Sequence, residues 1–564
     1  MSDLFARVAE WIAADPDPRT RRELQELLDR GERAELADRF DGTLEFGTAG
    51  LRGVVGAGPN RMNRAVVIRA TRGLADYLLG EQGQPPSHPV VVGFDARPDS
   101  RRFAEDSAGV LAAAGIPVVY FPEPTPTPLV AFAAKHLHAA AAVVITASHN
   151  PPEYNGYKVY GSDAAQIIPP ADSRISAAIA SVGAASEVPR LEDVFSAPSD
   201  LVAPAPEQIF DRYWEEVERQ RCREKGSDLR IVYTPLHGVG GRSVAELFER
   251  AGHGGLTPVA EQFEPDGRFP TVAFPNPEEP GALDLAVAEA EDADLILAND
   301  PDADRLAVAL PYGGRWRLLS GNEIGVLLGD YLLRDLDFRP VVVSSIVSSP
   351  MLSLIVAARG GRHEVTLTGF KWIVHAGMAL EQEGAGSFVF GYEEALGYTV
   401  GDVVRDKDGM SAALIFADLV ADLADAGLSP WDRLAELWHQ FGLWTSAQHS
   451  VSRADPDGMT ALVEAVDRLA SDPPDTVGEW QVSKVVDYRQ GAEARPPWLG
   501  VQALVQLDLE NGGRLLVRPS GTEPKLKIYA DLVGSVGERP VEERDRLQTR
   551  AEGLARELAA RIGL

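Results

Sequence analysis

The segment Thr146-Ala147-Ser148-His149-Asn150-Pro151-Pro152 places a hydroxyl directly behind an apolar run, Ala140 to Ile145. The run has the length and composition of a buried strand, and turn residues follow it at once. Ser148 therefore stands at a strand-to-loop junction, where rigid backbone can aim its hydroxyl. His149 beside it joins the candidate catalytic groups. The tail Glu153-Tyr154-Asn155-Gly156-Tyr157-Lys158 brings a lysine ten residues behind the serine. A Ser-His pair alone is most often a solvated turn. The chemistry becomes specific only with other motifs.

Asp300-Pro301-Asp302-Ala303-Asp304-Arg305 follows a second apolar strand, Leu295 to Ala298. Alternate carboxylates on a tight loop offer hard oxygen ligands to one divalent cation. Mg²⁺ suits them, because it takes few carboxylates and keeps room for water or phosphate oxygen. The loop lacks the glycine and distal glutamate of a calcium EF-hand. Arg305 stands ready to neutralise a phosphate beside the metal. Arg518-Pro519-Ser520-Gly521-Thr522-Glu523-Pro524-Lys525 has the makings of a phosphate cradle. Arg518, the hydroxyls of Ser520 and Thr522, the backbone at Gly521 and the amine of Lys525 converge on one anion.

Weaker motifs complete the set. Gly391-Tyr392-Glu393-Glu394-Ala395-Leu396-Gly397-Tyr398 follows a strand ending at Phe390, and its carboxylates can accept hydrogen bonds from sugar hydroxyls. A solvated helix start is the bland alternative, since the dipole favours Glu there. Gly47-Thr48-Ala49-Gly50-Leu51-Arg52-Gly53 offers Arg52 on a glycine hinge, and Thr368-Gly369-Phe370-Lys371 offers another cation beside a glycine. Asp406-Lys407-Asp408-Gly409 has the form of a helix start. His237-Gly238-Val239-Gly240-Gly241 imitates a nucleotide loop but fails Gly-x-Gly-x-x-Gly and lacks the P-loop Lys-Ser/Thr, so it is a structural turn.

Positioning these groups requires several domains. The chain has 564 residues, too long for one core, and 45% are hydrophobic. A helical start over about residues 3–39 breaks at Asp15-Pro16-Asp17-Pro18. Strands at Pro89 to Phe94 and Pro117 to Phe121 alternate with helices at Ser100 to Ala114 and Leu129 to Leu137, the pattern of a mixed or parallel sheet. A second unit has a strand at Leu229 to Thr234 and a helix at Gly241 to Ala251. A third has strands at Pro340 to Ile346 and Ser387 to Phe390. Past about 440, Trp480 to Val486, Trp498 to Leu509 and Gly513 to Val517 are antiparallel in character, and an amphipathic helix, Val541 to Ile562, closes the chain. The expected architecture is α/β: three related α/β domains with mixed sheets, over 1–205, 206–318 and 319–440, then an α+β domain over 441–564.

The charge balance of 54 Lys+Arg against 84 Asp+Glu, net −30, disfavours nucleic acid as a partner. A small anion is compatible with it through local cationic clusters. Cys222 is the only cysteine, so neither an intramolecular disulfide nor a cysteine zinc site is available. The amino-terminal segment reads as an amphipathic helix rather than a leader, and no apolar run is long enough to span a bilayer. A cytoplasmic enzyme, monomer or homodimer, is the default expectation.

The five motifs, in this order from about Gly47 to Tyr529, resemble the α-D-phosphohexomutase superfamily of phosphoglucomutases and phosphomannomutases. Gly-Thr-Ala-Gly-Leu-Arg-Gly and Gly-Tyr-Glu-Glu-Ala-Leu-Gly-Tyr look most like the branch that includes phosphopentomutase and glucose 1,6-bisphosphate synthase. The resemblance implies four domains around one central cleft. It implies that Ser148 carries phosphate, and that Asp300, Asp302, Asp304 and the Ser148 phosphate hold Mg²⁺. Lys158 is implied as general acid/base and Arg52 as a contact of the phosphoserine. Arg305 would lie beside the metal, and Glu393 would bind sugar hydroxyls. Arg518, Ser520, Gly521 and Thr522 would grip the unreactive phosphate, while Thr368, Gly369 and Lys371 complete the sugar side. Many relatives carry serine where this chain has Ala395, which leaves the sugar open.

The implied reaction moves a phosphoryl group between O1 and O6 of a hexose phosphate, glucose first and mannose second, or between O1 and O5 of a pentose. A sugar bisphosphate such as glucose 1,6-bisphosphate is the intermediate and activator. Charge neutralisation by Mg²⁺ and Arg305 provides most of the catalysis expected of such a transfer. Lys158 as base requires a lowered lysine pKa. The cradle at Arg518, on a separate domain, would close to exclude water. A bisphosphate synthase is the rival within enzymes, and a silent sugar-phosphate-binding protein the rival outside them. A serine hydrolase is unsupported, because no Gly-x-Ser-x-Gly elbow surrounds Ser148.

Overall fold

A computed structural model describes residues 2–44, 50–197, 199–453, 458–519 and 525–564. It divides into two compact units, Met1–Leu318 with Tyr398–Leu414, and Leu319–Gly397 with Ile415–Leu564. Among the described residues no helix is long and apolar enough to cross a membrane.

The first unit opens with three helices, Ser2–Ala14, Pro18–Arg30 and Arg33–Arg39. The break expected at Asp15 to Pro18 is a cap: the Asp17 carboxylate accepts from Arg19 N at 3.0 Å, and Pro18 starts the next helix, where its missing N–H costs nothing. A second break, absent from the sequence reading, comes at Gly31, whose left-handed φ of 70° ends the helix.

A six-stranded sheet follows in the order Leu51–Val54, Tyr154–Tyr160, Ala141–Ile145, Val90–Phe94, Val118–Tyr120, Val202–Pro204. Its last four strands are parallel, and the central two, Val90–Phe94 and Ala141–Ile145, are continuous apolar runs buried throughout. Tyr154–Tyr160 runs antiparallel to both its neighbours. A five-stranded sheet comes next, ordered Arg315–Leu318, Leu306–Tyr312, Leu295–Asn299, Ile231–Thr234, Leu256–Pro258. Its parallel strands, Leu295–Asn299, Ile231–Thr234 and Leu256–Pro258, carry an antiparallel pair on one side.

The segment Tyr398–Leu414 joins this first unit although the chain delivers it from the middle of the 319–440 stretch. Buried hydrogen bonds explain the assignment. Asp406 accepts from Tyr160 Oη at 2.7 Å and Gln166 Nε2 at 2.8 Å, and Asp408 accepts from Tyr213 Oη at 2.8 Å.

In the second unit the parallel strands Arg362–Thr366 and Ser387–Glu393 flank Pro340–Ser345. The strand expected to stop at Phe390 runs on to Glu393. The last sheet is antiparallel: Leu443–Ser452, Lys525–Gly534, Arg514–Pro519, Val505–Leu509, Trp480–Asp487, Thr476–Val477. Helices Gly458–Ser471 and Pro540–Arg561 pack on it. The α/β plus α+β architecture thus holds, with two local corrections. The strand expected over Trp498 to Leu509 begins only at Val505, because Pro496 and Pro497 impose a short 3₁₀ turn. Leu443–Ser452, missed in the sequence, is as long as the strand it pairs with, from Leu443 opposite Gly534 to Ser452 opposite Lys525.

Candidate active site

Ser148 is buried and stands in the left-handed region at φ 50°, an unfavourable conformation for a residue with a Cβ. What holds it there is chiefly Arg97, which the sequence reading passed over. Its guanidinium donates to four carbonyls of the serine loop: Ser148 O and Asn150 O at 2.6 Å, Pro151 O at 2.7 Å and Tyr154 O at 2.9 Å. Its Nε donates to Asp95 at 3.1 Å, and the Phe269 ring lies 5.1 Å from the guanidinium carbon. Thr146 Oγ1 accepts from Ser148 N at 2.9 Å, closing the turn from below.

The Ser148 hydroxyl donates to Asp300 Oδ2 at 2.6 Å, and His149 Nδ1 lies 3.2 Å from the Ser148 Oγ. A hydroxyl has one proton, so with Asp300 taking it, His149 is the donor in the second contact. Burial, with Arg305 and Arg52 nearby, pushes the His149 pKa well below its ordinary value and keeps the ring neutral.

Asp300, Asp302 and Asp304 present one oxygen each to a common point, the three within 4.8 Å of one another and all buried. The turn that gathers them joins Leu295–Asn299 to Leu306–Tyr312, with Ala303 left-handed at φ 59° and Asp300 Oδ1 accepting from Arg305 N at 3.1 Å. The turn read at His237 to Gly241 is its floor: Val239 N donates to Pro301 O at 2.8 Å, and a Cβ on Gly238 would lie 2.5 Å from Pro301 Cα. Asp302 Oδ2 also accepts from Thr127 Oγ1 at 2.8 Å.

Lys158 reaches the trio from the antiparallel strand Tyr154–Tyr160, donating to Asp302 Oδ2 at 2.8 Å and Asp304 Oδ2 at 2.9 Å. Lys407, from the segment that joins this unit, lies 3.2 Å from the same Asp304 oxygen. The lowered pKa expected of Lys158 is not found. Burial alone would lower it, but the Asp302 and Asp304 carboxylates more than offset this and the net shift is upward. Asp304 answers in kind: burial raises it, and Lys158, Lys407 and Arg305 overcome burial and hold it below the carboxylate range. Asp300 receives less of this support, and burial with its two acidic neighbours pushes it well up.

Two oxygens of the trio, Asp302 Oδ1 and Asp304 Oδ1, are buried without a hydrogen-bond donor among the described residues. A hard divalent cation satisfies this donor set, and the lysines need not leave, because they occupy the other oxygen of each carboxylate. Arg52, on Leu51–Val54, donates to Asn150 Oδ1 at 3.1 Å, which ties it to the serine loop. Burial and the nearby Arg305 lower its pKa.

Of the remaining groups, Arg518 and Thr368 meet within the second unit. Arg518 donates to Thr368 Oγ1, and Gln502 Nε2 donates to the same hydroxyl at 3.0 Å. Arg518 Nε is buried without an acceptor among the described residues. Lys527 lies directly across the strand pair from Arg518. Gly369, at φ 111°, precedes the helix Phe370–Gln382, whose Lys371 ammonium lies 5.7 Å from the Trp372 ring. Glu393 ends its strand. Its neighbour Glu394 is half-buried, accepts from Ser345 Oγ at 3.0 Å and has its pKa pushed upward by desolvation, with Lys527 and Arg518 opposing. Lys525 opens the strand Lys525–Gly534. Ser520, Gly521 and Thr522 lie outside the described residues.

Arg97 carried a signal that was legible in retrospect: Asp95-Ala96-Arg97 sits at a strand end, the position from which α/β proteins present functional groups. Thr127 carried none.

The sequence matches four successive family descriptions. These are phosphoglucomutase/phosphomannomutase alpha/beta/alpha domain I over residues 43–185, domain II over 211–313, domain III over 320–441, and the C-terminal domain over 459–535. A Haemophilus influenzae protein named "Probable phosphomannomutase" is 41% identical, covering 84% of this chain and 93% of its own. The Homo sapiens phosphopentomutase is 36% identical, covering 95% of this chain and 92% of its own. Among solved structures, a phosphoglucomutase/phosphomannomutase family protein from Burkholderia thailandensis shares the fold with a TM-score of 0.67 at 21% identity, over 91% of this chain and 97% of that one. The serine loop, the aspartate trio and these matches together make this chain a member of the phosphoglucomutase/phosphomannomutase family, enzymes that move phosphate within a sugar.

Proposed function

We propose that the protein carries its phosphoryl group on Ser148 and interconverts a hexose 1-phosphate with the 6-phosphate, glucose foremost, through a bisphosphorylated sugar. The observation that carries this reading is the Ser148 hydroxyl aimed at Asp300 within a trio that keeps two buried oxygens open. Asp300, Asp302, Asp304 and the Ser148 phosphate would hold Mg²⁺, which neutralises charge on the transferring group when bound. Arg52 and Arg305 face the same phosphate. Lys158 stands as an ammonium ion and must give up that proton before it can take the proton of the attacking sugar hydroxyl, which it then returns to the departing oxygen. Glu393 accepts from sugar hydroxyls, with Thr368, Gly369 and Lys371 beside it. Arg518 grips the unreactive phosphate through the nitrogen that has no acceptor among the described residues.

The test is intact-protein mass together with coupled turnover of glucose 1-phosphate, Mg²⁺ and a trace of glucose 1,6-bisphosphate. A phosphoryl mass mapped to Ser148, with glucose 6-phosphate accumulating, is the expected result. A protein that never takes up phosphate from any sugar bisphosphate sinks the reading. A second reading, ribose 1-phosphate to ribose 5-phosphate, is favoured by the methyl group of Ala395 and by the similarity to human phosphopentomutase over nearly the whole chain. The same assay with ribose 1-phosphate decides between them by the ratio of kcat/KM.

Two variations of this assay have definite outcomes. Stripping divalent metal with a chelator abolishes turnover, and Mg²⁺ restores it. Undiminished turnover in protein shown metal-free by elemental analysis removes the trio from the chemistry. Arg518→Ala weakens binding of either sugar phosphate by about 1.5–3 kcal/mol, the worth of a hydrogen bond to a charged group. Unchanged affinity by calorimetry takes Arg518 out of the site.

A further inference from the structure

The amino-terminal helices line a cavity whose wall holds none of the site residues named above. Its volume is about 360 Å³, and its wall includes Arg7, Glu10, Trp11, Phe40, Ala65 and Arg69. A second cavity of about 500 Å³ shares Trp11 and Arg69. The larger part of the wall is apolar, and the first volume lies in the range of small-molecule pockets.

Two donors in this wall have no acceptor among the described residues: Arg69 Nε and Trp11 Nε1, both buried. Arg69 makes one hydrogen bond, from its NH2 group to Val182 O at 3.2 Å, and no carboxylate among the described residues pairs with it. Burial, with no opposing charge, pushes its pKa down. The other charged side chains of the wall do not resolve this. The Arg7 guanidinium donates to Phe40 O at 2.7 Å and lies over the Phe40 ring, and Glu10 is exposed. A half-buried guanidinium whose buried Nε has no acceptor among the described residues is an arrangement that an incoming anion relieves.

We propose that this cavity is a second ligand site, for a small organic anion with one carboxylate, sulfonate or phosphate on a compact apolar body. The anion takes Arg69 Nε and Trp11 Nε1 as donors, and the body fills the space among Trp11, Phe40 and Ala65. A sugar phosphate is the wrong occupant, because its hydroxyls would find few partners against an apolar wall. The site is independent of the mutase reading, since none of its residues belongs to the serine loop, the trio or the cluster at Arg518.

The experiment uses the full chain and two fluorescent probes that differ by one charge, 8-anilinonaphthalene-1-sulfonate and the neutral N-phenyl-1-naphthylamine. The expected result is saturable, single-site binding, with the sulfonate bound more tightly. Arg69→Gln weakens the sulfonate about tenfold or more, as loss of a charged donor requires, and leaves the neutral probe unchanged. Ala65→Leu narrows the cavity and weakens both. Both variants keep mutase turnover, which confirms that they fold. Equal sulfonate affinity in the native protein and Arg69→Gln overturns the proposal. So does displacement of the sulfonate by glucose 1-phosphate, which would place the probe in the catalytic site.

Discussion

Ser148→Ala abolishes turnover of every phosphosugar tested, by on the order of 10⁴-fold or more, as removal of a nucleophile that carries the covalent intermediate does in other enzymes. The fold survives. The substitution removes one hydroxyl that makes contacts at 2.6 Å to Asp300 and 3.2 Å to His149. Asp300 keeps its bond from Arg305 N, so the stability cost is about 1 kcal/mol. Alanine adopts φ 50° no more readily than serine, and the four carbonyl contacts of Arg97 go to backbone that the substitution leaves in place. Intact mass, a thermal melt and the coupled assay check this together. A folded Ser148→Ala protein with native turnover would remove the phosphoserine and the mechanism with it. A protein that unfolds would show that the hydroxyl is a structural member of the trio.

The second large effect is expected at Arg97, a positioning residue that touches no substrate. Arg97→Met leaves four loop carbonyls without their donor and Asp95 without its counter-charge, all in a buried setting. Breaking a buried charged pair costs roughly 3–5 kcal/mol. Arg97→Lys keeps the charge but not the planar fork, and one ammonium cannot satisfy four carbonyls. The serine loop then loses the device that imposes left-handed backbone on Ser148. The expected kinetic signature is a fall in kcat with KM nearly unchanged, larger for Met than for Lys. Phosphate occupancy of Ser148, read by mass, falls in parallel. Urea unfolding gives the stability. If both variants keep native kcat while losing stability, Arg97 holds the fold and does not aim the serine.

How much of this was legible in the residues varies from element to element. The parallel strands Val90–Phe94, Ala141–Ile145 and Leu295–Asn299 were readable because both faces are buried, so their sequences are continuous apolar runs bounded by turns. Leu443–Ser452 was not, because much of that strand is only half-buried or exposed and its polar residues imitate a loop. Tyr154–Tyr160 was read as the tail of a loop, although its pairing with Val144 and Gly156's partner Arg52 is what brings Lys158 and Arg52 to one place. Lys407 was read as part of a helix start. Nothing local shows that Asp406 and Asp408 are bound by tyrosines more than 190 residues away, or that the lysine between them faces Asp304.

The direction of the Lys158 shift is the clearest case. The sequence supplies a lysine near arginines and suggests a depressed pKa. The fold places two carboxylates within 3 Å of that lysine, and at this range they outweigh the burial that would lower it.

By itself the sequence determined the inventory: a serine behind a buried strand, three alternating carboxylates on a turn, and an arginine beside a hydroxyl-rich loop. These follow from local spacing, since strand, turn and ligand chemistry are written within about ten residues. Only the tertiary structure decided which oxygens remain open to a cation, which charge state Lys158 keeps, and that Arg97, Thr127 and Lys407 belong to the same site. Those outcomes depend on burial and on contacts between residues far apart in the chain, and electrostatic energies in a low-dielectric interior are set by such distances.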